Sequence, residues 1–354
     1  MQMDFLQKYE IKELNREAMN AAKARLDNLV KPPGSLGELE SIAEKLAGIS
    51  GQIFFNTSPR CVVIMASDNG VVEEGVAAAP QVVTYTQTIN FTRGITGVTA
   101  LAKQFNTDLI IVDVGINEDF THPMVKDKKI RKSTNNIAHR PAMSYEEAVK
   151  AILVGIETAV DAVNSGYKML GAGEMGIGNT TTSAAMLCAF TGLAPEEVTG
   201  KGAGLKDDAY SRKIETVRMA LNCNQPNLLD PVDLIAKVGG FDIAAMAGLY
   251  LGGAHMGVPV VIDGFISMVA ALAAYRINPL VKDYMIASHA SIEPGYKHAA
   301  KALGIEPCLH LNMRLGEGSG CPIMFAVIDA ACTAMINMAT FEEANIGEEY
   351  LDKI

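Results

Sequence analysis

The sequence predicts an α/β fold: a Rossmann-like parallel sheet with helices on both faces, plus a small helical domain built from the N- and C-terminal segments. Three observations predict it. Short runs rich in β-branched residues recur at 61–66, 109–114, 258–262 and 284–287, with a weaker one at 167–170. Each is almost continuously apolar, as a strand buried on both faces must be. Alanine-rich segments of helical length, at 145–163, 181–190 and 242–256, alternate with those runs, which is the pattern of a parallel sheet covered by crossover helices.

Taken in order, the chain opens with helical periodicity over 9–30, where Leu14, Ala18, Ala22, Leu26 and Leu29 fall on one face. Lys31-Pro32-Pro33-Gly34 ends that helix, because proline lacks the N–H and restricts the residue before it. Ser35 and Glu38 have the spacing of a capping box, which opens a second helix running to about Ile49. The strands begin after Pro59. The apolar stretch 257–274 is interrupted by Pro259, Asp263 and Gly264, so it reads as a buried strand running into a helix. Residues 321–354 return to helix. The expected boundaries are therefore 1–58 and 321–354 for the helical segments and 59–320 for the large α/β domain. Ala330, Ala331, Ala334, Met335 and Met338 give the last helix an apolar face, so a dimer is expected.

Composition narrows the function. The chain has 354 residues, 49% of them hydrophobic, which is ample for a sizeable core. Mean hydropathy is +0.17, yet no stretch reaches the ~20 uninterrupted apolar residues of a membrane span. Asp4, Lys8 and Glu10 at the N-terminus argue against a secretory signal. The net charge is −10, the wrong sign for gripping a nucleic-acid backbone. The six cysteines are scattered, with no C-x-x-C pair, which fits small buried side chains in a reducing, cytoplasmic setting. Cys308 and His310 lack a second pair at ligand spacing, so no metal is expected.

Four segments carry chemistry. The run from Gly171 through Gly173-Glu174-Met175-Gly176-Ile177-Gly178-Asn179-Thr180 to Thr182 leads from a strand into a helix. Glycines before a helix N-terminus allow backbone N–H groups to cradle a phosphate, though a tight turn alone could ask for the same glycines. Neither a Walker A lysine nor a clean G-x-G-x-x-G is present. In Arg314-Leu315-Gly316-Glu317-Gly318-Ser319-Gly320 a carboxylate stands between glycines, with little side-chain cover of its own. Its partner is then a ligand, unless Arg314 pairs with it. Gly200-Lys201-Gly202-Ala203-Gly204 precedes a helix bearing Lys213, which alone would read as a solvated charge. Ser288-His289 sits at a strand end, but without a G-x-S-x-G elbow His289 reads as structural. Asp68, Asp113 and Asp263 also stand at strand ends, where ligands of open parallel sheets bind.

Together these segments resemble the nicotinate-nucleotide:dimethylbenzimidazole phosphoribosyltransferase (CobT) family. The matching stretches are Lys31-Pro32-Pro33-Gly34-Ser35-Leu36-Gly37, the loop from Gly173 to Thr181, Ser291-Ile292-Glu293-Pro294-Gly295, and Arg314 to Gly320, in the family's order. The resemblance implies transfer of 5-phosphoribosyl from nicotinate mononucleotide to 5,6-dimethylbenzimidazole or a related lower-ligand base of cobamides, with inversion and without a cofactor. It implies that Glu317 is the general base. It places Glu174, Gly176, Gly178, Asn179, Thr180, Gly202, Lys213, Ser291, Arg314, Leu315 and Gly316 around the phosphoribosyl donor, and Pro80, Tyr85, Gln87 and Thr88 around the acceptor. It also implies a homodimer, or a heterodimer with a paralogous subunit.

The chain departs from the family at two places. Asp68-Asn69-Gly70 stands where most relatives have Asp-His-Gly, and 76–84 is smaller and less polar than usual, with Val82 where glutamate is commoner. That stretch is expected to line the acceptor pocket, so the change leaves two alternatives open. One is a phenol or p-cresol phosphoribosyltransferase subunit of a hetero-oligomer; the other is a non-catalytic ligand-binding subunit.

Overall fold

A computed structural model describes residues 6–202 and 204–347; residues 1–5, residue 203 and residues 348–354, parts of the two terminal segments and of the 200–204 loop, lie outside the described residues. Six parallel strands form one sheet: β1 (Arg60–Ser67), β2 (Asp108–Gly115), β3 (Val125–Asp127), β4 (Met169–Met175), β5 (Val260–Ile262) and β6 (Met285–Ala287). Their order is β3-β2-β1-β4-β5-β6, so the winding reverses between β1 and β4. The α-helices are α1 (Arg16–Asn28), α2 (Glu38–Ser50), α3 (Val83–Arg93), α4 (Gly97–Gln104), α5 (Tyr145–Asn164), α6 (Asn179–Thr191), α7 (Pro195–Val198), α8 (Asp207–Asn224), α9 (Pro231–Val238), α10 (Phe241–His255), α11 (Phe265–Ile277), α12 (Pro294–Leu303) and α13 (Gly320–Asn337).

Successive side chains along a strand point to opposite faces, and β1 divides accordingly. Cys61, Val63 and Met65 enter one core with residues of α5, α6 and α10–α12. Val62, Ile64 and Ala66 enter a second core with α1, α2 and α13. The helices at the two ends of the chain thus cover one face of the sheet. On the other face α5 and α10 cross so closely that a Cβ on Gly155 would lie 1.9 Å from the Ala245 carbonyl oxygen, and one on Gly248 equally close to that of Ile152.

The predicted elements form, with four corrections. The weak run at 167–170 is the start of β4, which continues through Gly171-Ala172-Gly173-Glu174 to Met175. Its glycines mark close packing within a central strand: a Cβ at Gly171 would meet Cys321, and one at Gly173 would lie 2.5 Å from the Glu317 carbonyl oxygen. The first helix starts at Arg16, where the Asn15 side chain caps Ala18 N–H at 2.9 Å. The Ser35 capping box does not form. Gly34 and Gly37 both take positive φ, the turn they build delays the second helix to Glu38, and the Glu40 carboxylate reaches back to Leu36 N–H while pairing with Lys31 at 2.8 Å.

The fourth correction concerns the chain's end. Helix stops at Asn337, and the segment after it folds back beside the end of α1, with Val30 N–H on Ala339 O and Phe341 N–H on Asn28 O. The helix α13 is long and apolar enough to cross a membrane by length and composition, but half of it is buried against the sheet and α2, and Arg60 holds its Asp329 at 2.7 Å. Of the residues expected to face a partner, Ala331 and Met335 are used in this chain's own core, whereas Ala330 is exposed.

Candidate active site

A cavity of about 390 Å³ opens at the carboxyl ends of β1, β4, β5 and β6, at the point where the strand order reverses. The turn after β4 forms its floor. A Cβ on Gly176 would lie 2.5 Å from Asp242 Oδ2 and 2.6 Å from the Ser67 carbonyl oxygen, and Gly178, at φ +97°, caps α6. Asn179 and Thr180 then face the cavity from the first turn of α6.

Lys213 comes to this end from α8 and is 1% exposed, against the solvated reading of the bare sequence. Its Nζ donates to Thr180 Oγ1 at 2.8 Å and to the Gly200 carbonyl at 3.0 Å. Burial pulls its pKa down to about 8, opposed by the Glu293 carboxylate. Two of its three N–H groups are spent on neutral oxygens, so one remains for an anion. Gly202, at φ +54°, would place a Cβ 3.7 Å from that Nζ. Ser291, Arg314, Leu315 and Gly316 complete the wall, and Arg314 is exposed. Among the described residues no ion pair joins Arg314 to Glu317.

Glu317 stands at the wall away from Lys213, against the N-terminus of helix α4. It is 6% exposed, and its carboxylate has protein partners other than the ligand or the Arg314 that the sequence suggested. Gln87 Nε2 donates to Oε1 at 2.7 Å, and Val98 N–H, in the first turn of α4, donates to Oε2 at 3.0 Å. Each oxygen keeps a lone pair toward the cavity, and a helix N-terminus favours the negative charge. Glu317 itself has φ +65°, between Gly316 at +87° and Gly318 at +86°.

Under this turn lie three carboxyl groups, Glu174, expected at the donor, and Asp242 and Asp263, to which the sequence assigned no role. Glu174 Oε1 accepts Glu317 N–H at 3.3 Å, and its other oxygen accepts Asn179 Nδ2, which also donates to Asp242 at 2.9 Å. Asp263 accepts Gly318 N–H at 3.0 Å and Gly320 N–H at 2.7 Å. Burial, reinforced by neighbouring acids, pushes Glu174 up to about 8 and Asp263 up to about 7; burial raises Asp242 to about 6. The strand-end position of Asp263 was the available signal for it. Asp242 gave none, since it reads as the opening of an alanine-rich helix.

The acceptor-side expectations meet the structure unevenly. Gln87 lines the cavity, together with Val76, Ala77, Ala78, Ala79 and Val83. Pro80 is exposed in the turn before α3, Tyr85 packs edge-on against Phe120, and Thr88 is buried with its hydroxyl on the Thr84 carbonyl. Helical periodicity separates them, because only one face of α3 meets the cavity. Val82 is 52% exposed and outside it. His289 is neutral, its pKa pulled down to about 4 by burial, and bonds Ser288 Oγ at 3.0 Å. Among the described residues no cluster of three or more His, Cys, Asp and Glu is placed to hold a metal.

Comparison with known proteins agrees across the chain. A family model described as Phosphoribosyltransferase matches residues 11–346. The nicotinate-nucleotide–dimethylbenzimidazole phosphoribosyltransferase of Clostridium perfringens (strain ATCC 13124) is 55% identical over 97% of this chain and 95% of its own length. The protein of that name from Acetivibrio thermocellus is 48% identical over 97% and 98%. The crystal structure of CobT from Thermus thermophilus superposes with a TM-score of 0.90 at 40% identity, over 94% of this chain and 99% of that one.

The buried acids give stability a pH dependence of definite sign. The folded pKa of Glu174, about 8, stands above its ordinary value of 4.5, so its contribution is full at low pH and is lost as pH rises through about 8. The urea midpoint is expected to fall between about pH 5.5 and about pH 8.5, and Glu174→Gln should make that fall shallower. Identical slopes in parent and variant would remove Glu174 as the source.

Proposed function

The chain belongs to the phosphoribosyltransferase family that contains these nicotinate-nucleotide–dimethylbenzimidazole enzymes, and on that premise we propose that it transfers 5-phosphoribosyl from nicotinate mononucleotide to 5,6-dimethylbenzimidazole or a related cobamide lower-ligand base. One observation carries the reading: a single cavity presents a buried lysine at one wall and an anchored carboxylate at another. A ribose phosphate needs an anion holder away from the reacting carbon, and an azole acceptor needs a place for its proton.

In this reading Lys213, the N-terminus of α6 and Gly202 hold the 5′-phosphate, supplying binding energy remote from C1′. The nicotinate ring is already cationic, so it leaves with the C1′–N electron pair as the nicotinate anion, its ring now neutral. An acceptor nitrogen attacks C1′ from the opposite face, which inverts the β donor to an α product. Glu317 takes the proton from the acceptor's other nitrogen. The six unpaired cysteines support a reducing, cytoplasmic setting.

Glu317→Gln keeps the side chain's size while removing the basic charge and one of the two acceptor oxygens that Gln87 and Val98 use. Its turnover is expected to fall by about 10²-fold or more, with donor affinity kept. The assay is incubation with nicotinate mononucleotide and a panel of benzimidazoles, adenine, phenol and p-cresol, followed by identification of the α-ribosyl product. Activity within about threefold of the parent would exclude Glu317 as the base. A phenolic product without any benzimidazole product would move the enzyme to the other acceptor class.

Lys213→Ala tests the phosphate end. A charge-assisted hydrogen bond is worth about 1.5–3 kcal/mol, so donor affinity should drop by one to two decades while acceptor affinity stays. An unchanged donor affinity would leave Lys213 a structural residue.

The quaternary reading is a homodimer with the cavity near its interface. Leu315, 57% exposed and packed over Gly97, and Ile95, 60% exposed and two residues before it, support an apolar surface for a partner beside the Glu317 turn. Light scattering of an active preparation at micromolar concentration is expected to give twice the chain's mass; a monomer mass would refute the dimer.

A further inference from the structure

We propose that Asp263 is a positioning residue for Glu317, fixing the turn that aims the Glu317 carboxylate into the cavity; the inference rests on the reading of Glu317 as the base. Gly316, Glu317 and Gly318 all have positive φ, at +87°, +65° and +86°. Three left-handed residues in a row, the middle one with a side chain, persist only where surroundings hold them. Here the hold is on the backbone. Asp263 uses both carboxylate oxygens, Oδ2 on Gly318 N–H at 3.0 Å and Oδ1 on Gly320 N–H at 2.7 Å, while Glu174 takes Glu317 N–H at 3.3 Å.

These bonds bracket the α-carbon of Glu317 and leave its side chain to project away, toward Gln87 and the first turn of α4. Asp263 is itself rigid. It follows β5 directly, its N–H lies on Ser267 Oγ at 3.1 Å, and its carbonyl accepts Ser288 Oγ at 3.0 Å. It also replaces the missing cap of α13, since Ser319 makes no side-chain cap bond. With one acceptor removed, Gly318 or Gly320 N–H would be buried without a partner, and the turn would relax at its weakest point, the strained Glu317.

The test compares kcat and donor KM for parent, Asp263→Asn, Glu317→Gln and the double variant, using nicotinate mononucleotide with dimethylbenzimidazole. Asparagine keeps the volume but offers one acceptor oxygen to two N–H groups. A misaimed base is expected to lower kcat about 10- to 100-fold in Asp263→Asn. Donor KM should stay within about threefold, and the double variant should be no slower than Glu317→Gln, because Asp263 acts only through Glu317. A purely structural Asp263 would lower the melting temperature and leave kcat per folded molecule unchanged, which overturns the proposal. So does a double variant slower than Glu317→Gln by the full Asp263→Asn factor. If Glu317→Gln alone keeps parent turnover, the base reading fails on that arm independently. Should Asp263→Asn not fold, Asp263→Ser, smaller and still an acceptor, carries the same measurements.

Discussion

The site depends on how closely the 316–320 turn lies against strand β4. A Cβ at Gly173 would strike the Glu317 carbonyl oxygen at 2.5 Å, and one at Gly318 would come 2.9 Å from the Gly173 α-carbon. Backbone rests on backbone there, so the strand must give up side chains and the turn must adopt positive φ. Gly173 in the first glycine cluster and Gly318 in the second follow from this one contact. So does the position of the acids, because a turn pressed onto a buried strand cannot satisfy its N–H groups with water and must find protein acceptors.

That requirement explains a costly feature. Glu174, Asp242 and Asp263 are buried together, with raised pKa values near 8, 6 and 7. Burying charge without compensation is expensive, and partial protonation relieves it. The arrangement also keeps the negative charge of the floor low beside Glu317. At the other wall Lys213 faces neutral oxygens at hydrogen-bonding distance, with Glu293 as the opposing charge. The cavity therefore has a lysine at one wall and a carboxylate at the other, both brought by elements outside the sheet to the carboxyl ends of its strands.

Much of this was legible beforehand, for a physical reason. Strands buried on both faces show as apolar runs, so β1, β2, β5 and β6 could be placed to within a residue or two, and the glycine loop and Glu317 stand out by composition. The strand β4 was half missed, because close packing demands the same glycines that a turn does. Lys213 looked solvated, since helical spacing says which face a residue is on but not what covers it. Ser35 and Glu38 had the spacing of a cap, yet two positive-φ glycines beside them set the helix start. Asp263 showed only as a polar residue at a strand end, and Asp242 becomes visible only when β4, β5 and α10 are brought together, a long-range fact that no local pattern encodes.

The acceptor wall follows the same logic to a narrower end. Between residues 76 and 87 the cavity is lined by Val76, three alanines, Val83 and Gln87. Gln87 is the one polar side chain among them, and both ends of its amide are committed: Nε2 to Glu317 and Oε1 to Asn90 Nδ2 at 3.2 Å. In the proposed reading an acceptor entering here finds one charged proton acceptor, the Glu317 carboxylate, the partly committed Gln87 amide, and otherwise carbon. In this reading a dimethylbenzimidazole would satisfy that wall, one nitrogen attacking, the other giving its proton to Glu317, and the methyl groups meeting alanine and valine. A phenol satisfies it as well, with its single oxygen. A purine brings exocyclic and ring polar atoms that would be left unpaired, at about 1–3 kcal/mol each. On that reading, selection on this wall would work by penalising surplus polarity, because alanines at 77–79 leave room for substituents without adding any group that reads them.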